Sequence, residues 1–238
     1  MLESEKKFLE LLITNKVGIK SLLIARFFFQ WKASLRSGKS PITDRRPWMT
    51  FQSIEFLEKY LKHGSNVFEY GGGGSTLYCL DKGAHVVTVE HDLVWFSLLE
   101  KAILKDDLSQ SWKGIMIEPT IDPGQTPKNP SNPKIYQSYD DCFNGFWFKE
   151  YVSSIDYYPE SFFDFVLVDG RSRPSCLTHA ALKVKIGGFL LLDNTERSYY
   201  LSMDTRKYLD RYQIVLDEFG PTPGALWFTK TTIWKRVR

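Results

Sequence analysis

The chain has 238 residues, 43% of them hydrophobic and 25% charged, and a formal net charge of +3. This composition excludes disordered and fibrous classes, and the length predicts one domain with an elaboration rather than two full domains. The basic residues are dispersed, so no nucleic-acid partner is indicated. Three widely separated cysteines, in no pattern that holds zinc, predict a reducing, cytoplasmic setting. No stretch is long and apolar enough to predict a transmembrane segment.

The chain divides into an extension and a domain. Residues 1–47 are predicted to form an N-terminal helical extension, and residues 48–238 the main domain, with a long loop insertion at about 119–145. Prolines near both ends of 40–47 restrain the residues before them from helix, so this segment is predicted to be an extended connector. Long loops inside compact domains are usually functional or mobile.

One segment of the extension combines apolar and basic side chains. Residues 19–36 place Phe27, Trp31 and other large apolar residues among lysines and arginines. Such a stripe is typical of a helix that packs on its own domain or on a second subunit. Packing on a second subunit would make the protein a homodimer. The alternative is a helix that lies on a membrane surface and makes a peripheral contact.

From residue 51 onward, predicted helices and strands alternate. The last two strands are joined by residues 220–224, too short a link for a parallel crossover, so they are predicted to pair antiparallel. The pattern predicts an α/β fold with a mostly parallel seven-stranded sheet, helices on both faces and an antiparallel C-terminal strand. The predicted helices are 51–61, 75–80, 92–103, 149–155, 174–185 and 195–210, and the strands are 66–70, 85–90, 114–118, 162–168, 189–192, 212–219 and 226–236.

A glycine-rich loop follows the first strand. Asn66–Tyr70 runs directly into Gly71–Ser75, and glycines let the backbone approach a ligand without interference from Cβ atoms. Ligands of open α/β sheets bind at the carboxyl ends of the strands. A dinucleotide fingerprint would require a further glycine where this chain has Thr76. Glu69 would repel a pyrophosphate but can pair with a cationic amine, which favours a sulfonium amino-acid cofactor over NAD.

The loop resembles motif I of the class I, Rossmann-like S-adenosylmethionine-dependent methyltransferases. The resemblance is carried by Val67–Ser75, with Ser75 in place of the last glycine of the motif, and by the order of elements from about 51 to 236. It implies S-adenosylmethionine as cofactor, with Glu69, Gly71 and Gly73 lining the methionine part of that cofactor. The predicted cofactor-binding residues are Glu69, Tyr70, Gly71, Gly72, Gly73, Ser75, Glu90 and His91.

The resemblance also gives roles to residues after the second strand. Glu90 ends that strand, 19 residues beyond Gly71, and is expected to accept hydrogen bonds from the ribose hydroxyls. His91 is expected to lie near the edge of the adenine.

Two further strand ends are acidic. Asp169 follows the fourth strand and Asp193-Asn194 the fifth, and these three residues resemble the metal ligands of divalent-metal-dependent O-methyltransferases. Hard oxygen ligands suit Mg²⁺, which would lower the pKa of a substrate hydroxyl. Asp193 can instead cap a helix together with Glu196, and both alternatives stay open. If no metal binds, Asp169 is still the predicted catalytic base.

The substrate is less directly indicated. Arg171 and Arg173 could hold an anionic substrate group or pair with the nearby aspartates, and Trp48 is one of several aromatic residues that could cover a sugar or an aromatic ring. The predicted function is therefore methylation of a hydroxyl on a small molecule or glycan. Two alternatives are an aminopropyltransferase of the spermidine-synthase type, which usually carries an aspartate where this chain has Gly74, and a non-catalytic binding module.

Overall fold

The computed structural model of the chain describes residues 3–14, 21–124 and 127–238, and the side chains of these residues except Glu3, Ser21 and Leu22. The strands are β1 (Asn66–Tyr70), β2 (His85–Glu90), β3 (Trp112–Met116), β4 (Thr120–Ile121), β5 (Phe146–Trp147), β6 (Phe163–Val168), β7 (Val184–Asp193), β8 (Tyr212–Pro221) and β9 (Phe228–Arg236).

Within the described residues, seven of these strands form one sheet in the order β3-β2-β1-β6-β7-β9-β8, and β4 pairs with β5 across the long loop. All neighbours in the large sheet are parallel except β9, which runs antiparallel to both β7 and β8. The predicted α/β architecture is confirmed. The α-helices are α1 (Glu3–Thr14), α2 (Ser21–Ala25), α3 (Phe28–Ser34), α4 (Pro41–Asp44), α5 (Phe51–Tyr60), α6 (Gly74–Asp81), α7 (Leu93–Lys105), α8 (Lys149–Ser153), α9 (Arg173–Ala180) and α10 (Met203–Arg206).

The sheet has a hydrophobic cluster on each face, because successive side chains of a strand point to opposite sides. On one face, Val67 of β1 joins a cluster with residues of α1, α2, α3, α5, α6 and α7. On the other, Phe68 and Tyr70 join residues of α8 and α9. Helices therefore cover both faces, as predicted, and the strand ends remain for a site.

The amphipathic part of the extension packs on this domain. Ile24, Phe27 and Trp31 are buried, and the indole nitrogen of Trp31 donates a hydrogen bond to the carbonyl of Ala225 at 2.7 Å. Residues 19 and 20 of the predicted stripe lie outside the described residues. Contact with a membrane or a second subunit stays a prediction. In the described part of the chain, no helix is both long enough and apolar enough to span a membrane.

The connector at 40–47 is not extended, and that prediction is wrong. Pro41 begins α4, and the Ser40 hydroxyl accepts a hydrogen bond from the backbone N–H of Thr43 at 3.1 Å. Proline is favoured in the first turn of a helix, and serine is a good N-cap, so the two residues together start a helix here. Arg45 then fixes the connector by ion pairs to Asp81 and Asp106, at 2.5 and 2.6 Å.

Other differences concern element boundaries. Gly187 and Gly188 fall between the predicted helix 174–185 and the predicted strand 189–192, but they lie inside β7, whose pairing with β6 shifts register between Phe163 and Phe165. A bulge of this kind accommodates glycines within a strand. The third strand begins two residues earlier than predicted, at Trp112, and 195–210 forms short helical turns rather than one helix.

Candidate cofactor and substrate site

The carboxyl ends of β1 and β6 lie side by side, where the connections of the sheet diverge in opposite directions. Such switch points form the ligand crevices of open α/β sheets. An added Cβ on Gly71 would lie 2.8 Å from the Cα of Gly170, and Gly71 has a φ of +87°. Residues other than glycine rarely adopt this backbone conformation. The close approach of the two chain segments at this crevice and the positive φ therefore both require a glycine at position 71.

The other three glycines of the loop differ in what surrounds them. A Cβ on Gly72 would lie 2.5 Å from Cγ2 of Thr88, and one on Gly74 would collide with the carbonyl oxygens of Arg46 and Pro41. A Cβ on Gly73 would meet only ordinary contacts, the nearest at 3.4 Å from the Trp95 ring. Packing within the protein thus explains Gly72 and Gly74 but not Gly73.

Glu69 lies beneath the loop. It is 1% exposed, and its carboxylate accepts hydrogen bonds from the hydroxyls of Ser75, Thr76 and, at 3.3 Å, Thr88. The Thr76 hydroxyl in turn accepts the N–H of Gly73 at 3.0 Å. Burial raises the pKa of Glu69 to about 7, although the hydroxyl donors oppose this. The contacts show Glu69 organising the loop, and contact with a cofactor stays a prediction.

Glu90, at the end of β2, holds the loop from the other side. One carboxylate oxygen accepts the N–H of Gly72 at 3.0 Å, and the other accepts the N–H groups of His91 and Asp92 at 2.7 and 2.9 Å. Burial raises the pKa of Glu90, but the hydrogen bonds and charge of His91 and the backbone donors outweigh it and leave the pKa below its ordinary value. Glu90 is thus an ionised acceptor at neutral pH.

A cavity of about 430 Å³ opens beyond the ends of β2 and β3. It is lined by residues 91–94 and by Glu118, Pro119, Phe143 and Phe146. The His91 ring packs edge-on against Phe143, with centroids 5.3 Å apart, and its Nδ1 lies 2.7 Å from a carboxylate oxygen of Glu90. The lining residues 91–94 directly follow Glu90 in the chain. The rings of Phe143 and Phe146 form an aromatic wall that suits a planar base.

Tyr70 points away from the loop. Its hydroxyl donates to the carbonyl of Val152 at 2.6 Å, and its ring packs against Tyr151 in the core. The Tyr151 hydroxyl is buried and has no hydrogen-bond partner within the described residues, and a Cβ on Gly170 would collide with it. Nothing in the sequence marked Tyr151, since it lies in a helix without a motif.

The predicted Mg²⁺ ligands do not fit a divalent cation, because a guanidinium lies among them. Arg173 places Nη2 at 2.9 Å from Oδ1 of Asp169, and Nη1 donates to the Asp193 carbonyl at 2.7 Å and to Oδ1 of Asn194 at 3.2 Å. The Asp193 carboxylate is instead the acceptor of the Thr231 hydroxyl at 2.5 Å. Among the described residues, no group of three or more His, Cys, Asp or Glu side chains could hold a metal ion. The structure therefore does not support the metal prediction.

The capping alternative for Asp193 is wrong, because Asp193 is the last residue of β7 and its carboxylate binds Thr231. Glu196 accepts the N–H of Lys230 at 2.9 Å. Burial raises the pKa of Asp193 to about 8, and the nearby Asp169 carboxylate adds to this. Burial also raises the pKa of Asp169, which the Arg173 charge opposes.

Arg173 has no donor left for a substrate. Its Nε donates to the carbonyl of Gly170, and Nη2 also donates to that of Asp169, so all five N–H groups have protein partners. Arg171, in contrast, is 34% exposed and pairs with Asp140 at 3.3 Å. The proposed anion contact therefore fits Arg171 alone of this pair. Trp48 packs against Gly224, in the turn between β8 and β9.

A second cavity, of about 470 Å³, opens on the β6 side of the crevice. It is lined by Gly170 and Arg171, by parts of the long loop, and by Arg197, Tyr199 and Tyr200. Sequence reasoning missed the last three residues, because 195–210 was assigned to a helix and carries no motif. Their only signal was a cluster of arginine and tyrosines soon after an acidic strand end.

A scan against protein-family models and a search of curated proteins found no match. Among solved structures, a methyltransferase-like protein from Silicibacter pomeroyi is similar with a TM-score of 0.52 and 20% identity, over 82% of this chain and 91% of that one. A candidate O-methyltransferase from Klebsiella pneumoniae has a TM-score of 0.52 and 13% identity, over 87% and 86%.

TrmN from Thermus thermophilus is a third similar structure, with a TM-score of 0.50 and 12% identity over 77% of this chain. The chain spans 47% of the length of that protein. The chain has the fold of the class I S-adenosylmethionine-dependent methyltransferases.

Proposed function

We propose that the chain is an S-adenosylmethionine-dependent methyltransferase that transfers the methyl group to a hydroxyl of a small molecule or glycan. The observation that carries the proposal is the pairing of Glu90 with the glycine loop. An ionised carboxylate at the end of β2 accepts the N–H of Gly72, directly beside the unobstructed Cα of Gly73. An acceptor in this place suits ribose hydroxyls.

The cofactor would lie across the ends of three strands. The cavity next to His91 would take the adenine, Glu90 the ribose hydroxyls, and the backbone of Gly71–Gly73 the methionine part. A pyrophosphate suits this loop poorly, because it would need free backbone N–H donors. Here the N–H of Gly72 is directed to Glu90 and that of Gly73 to Thr76.

When bound, S-adenosylmethionine supplies an electrophilic methyl group, so the protein needs only to orient and deprotonate the acceptor hydroxyl. Asp169 is the proposed base. Its side chain is 32% exposed, and Oδ1 is held by Arg173. Oδ2 has no hydrogen-bond partner in the described part of the chain and is available for the hydroxyl proton. The raised pKa of Asp169 makes it a stronger base than an ordinary carboxylate.

The aminopropyltransferase alternative is disfavoured by the surroundings of Gly74. At this position the spermidine-synthase loop usually carries an aspartate, whereas here the carbonyl oxygens of Pro41 and Arg46 occupy the space that any side chain would need. A non-catalytic binding module differs from the proposal only in turnover, because both would bind the cofactor.

Titration calorimetry with S-adenosylmethionine, S-adenosylhomocysteine, decarboxylated S-adenosylmethionine and NAD tests the proposal. We expect the first two to bind with dissociation constants of about 1–100 µM, and at least tenfold tighter than the others. Absence of binding by both would refute the methyltransferase proposal, and tightest binding of the decarboxylated form would favour aminopropyl transfer. Transfer of labelled methyl to a panel of hydroxyl acceptors, with Asp169→Asn as the inactive control, distinguishes an enzyme from a binding module.

A further inference from the structure

The cavity of about 470 Å³ is placed to receive an acceptor molecule. Gly170 forms part of its wall, and the same glycine contacts Gly71 of the loop. The cavity therefore begins where the methyl group would be presented. Its volume is typical of small-molecule sites, which measure about 300–1,000 Å³.

The wall of this cavity carries an excess of positive charge. Among the described residues, Arg171, Arg173 and Arg197 line it, against one carboxylate, that of Asp140. Arg173 is fully used by the protein, and Arg171 pairs with Asp140, although its Nε is buried with no hydrogen-bond partner in the described ranges. Arg197 has no ion pair with a carboxylate among the described residues. Apart from the N–H group that Nη1 donates to the Tyr200 hydroxyl, the donors of Arg197 are left for an anion.

Arg197 is also held in position. Its Nη1 donates to the Tyr200 hydroxyl at 3.0 Å, and its guanidinium carbon lies 5.9 Å from the centre of that ring. Tyr199 stacks on Tyr139 with ring centres 4.4 Å apart and an angle of 20° between the planes. A guanidinium with a planar aromatic wall beside it suits a charged group attached to a ring.

We propose that this cavity binds an acidic small molecule whose carboxylate or phosphate is attached to a ring, with Arg197 and Arg171 holding the anion and Tyr199 contacting the ring. This rests on the proposed function, because the cavity is taken as the acceptor site next to the cofactor loop. A small acid is favoured over a nucleic acid, since the cavity has the volume of a small-molecule site and the whole chain carries a net charge of only +3.

Binding of 4-hydroxybenzoate and phenyl phosphate, with 4-hydroxybenzamide as the neutral analogue, tests the proposal by calorimetry with and without S-adenosylhomocysteine. Wild type is compared with Arg197→Gln and with Arg211→Gln, which makes the same charge change at an exposed position that does not line the cavity. We expect at least one acid to bind tenfold or more tightly than the amide. Arg197→Gln should weaken that binding at least fivefold, and Arg211→Gln less than twofold.

Equal binding of acids and amide, or equal effects of the two substitutions, would overturn the assignment. So would tighter binding of a single-stranded RNA 12-mer that Arg197→Gln abolishes, because it would indicate a nucleic-acid acceptor. Binding of S-adenosylhomocysteine without any acid would overturn this inference but leave the proposed function standing. If an acid binds but neither S-adenosylmethionine nor S-adenosylhomocysteine binds, the result would contradict the proposed function instead.

Discussion

The Nη2 atom of Arg173 lies 2.9 Å from Oδ1 of Asp169, and the same guanidinium donates to the backbone carbonyls of Asp169 and Asp193. Arg173 thereby joins the ends of β6 and β7 and supplies the positive charge that the acidic strand ends need. A cation is thus built into the chain, at the place where the sequence pattern suggested Mg²⁺.

Catalysis should therefore not need a divalent metal. We expect methyl transfer by protein treated with EDTA to stay within about twofold of that measured with added Mg²⁺, because Arg173 uses the Asp169 carboxylate and the Asn194 amide oxygen. The rate of transfer from labelled S-adenosylmethionine measures this. A loss of activity on chelation that Mg²⁺ restores would contradict this account of the site.

Removal of Arg173 should destabilise the fold. Arg173→Ala leaves Asp169 and two strand-end carbonyls without their donor, and loss of one partner of a buried ion pair costs about 3–5 kcal/mol. Urea unfolding gives the difference in free energy. Arg211→Ala, at an exposed position, is the matched control and should change stability by less than about 0.5 kcal/mol. Equal stabilities of the two variants would show that Arg173 is not a structural clamp.

The glycines of the loop allow folding and binding to be separated. Gly73→Ala adds a Cβ whose nearest neighbour is 3.4 Å away, so we expect an unchanged melting temperature and, if the cofactor passes over this backbone, at least tenfold weaker binding of S-adenosylhomocysteine. Gly71→Ala should instead lower stability, because of its φ of +87° and the contact with Gly170. Full affinity in the Gly73 variant would place the ligand elsewhere.

Glu90 should be the main polar determinant of affinity for the cofactor. Glu90→Gln removes the charge and puts an amide N–H₂ against backbone donors, and hydrogen bonds to charged groups contribute about 1.5–3 kcal/mol. We expect S-adenosylhomocysteine to bind about 10–100-fold more weakly, as measured by calorimetry. Glu100→Gln, on the exposed side of α7, controls for the loss of one charge and should bind as wild type does.

Glu69 should make stability depend on pH. Its pKa is about 7 in the folded chain against an ordinary value of 4.5, so the folded state retains the proton more tightly than the unfolded state. The stabilisation from this group is fully present below about pH 4.5 and is lost as the pH rises through 7, by about 3 kcal/mol in total.

The comparison of Glu69→Gln with wild type isolates this effect, since Asp193 shifts in the same direction and stays in both proteins. Free energies of unfolding measured in urea from pH 4 to 8.5 should be closest at low pH, where both side chains are neutral, and should separate in favour of Glu69→Gln as the pH rises through 7. A difference between the two proteins that does not change with pH would show that the Glu69 carboxyl ionises normally.

The central strands could be predicted from the sequence because their signals are local. β1 and β2 occupy the predicted residues 66–70 and 85–90, since each is a short apolar run that ends at an acid or glycine. β7 was placed too late, because Gly187 and Gly188 look like a helix stop unless the neighbouring strand β6 is known to accept a bulge. Boundaries of this kind depend on tertiary pairing.

The site divides in the same way. Glu90 and the glycine loop could be proposed as site residues from the sequence because they are contiguous with their strands, and the structure joins them by a hydrogen bond. The metal prediction finds no support in the structure, because the sequence shows which acids end strands but not that Arg173, four residues after Asp169, folds back between them. Arg197 and Tyr199 were missed because only the folded chain brings the segment after β7 next to Gly170 and Arg171, where its side chains line the cavity.

The most direct test of the account is a crystal structure of the chain with S-adenosylhomocysteine. We predict electron density for the ligand over Gly71–Gly73, with the ribose hydroxyls within hydrogen-bond distance of Glu90 and the sulfur on the side of Asp169. The adenine should lie beside His91, in the cavity beyond β2 and β3. Well-ordered ligand in any other place, or none at saturating concentration, would contradict the assignment of this crevice as the cofactor site.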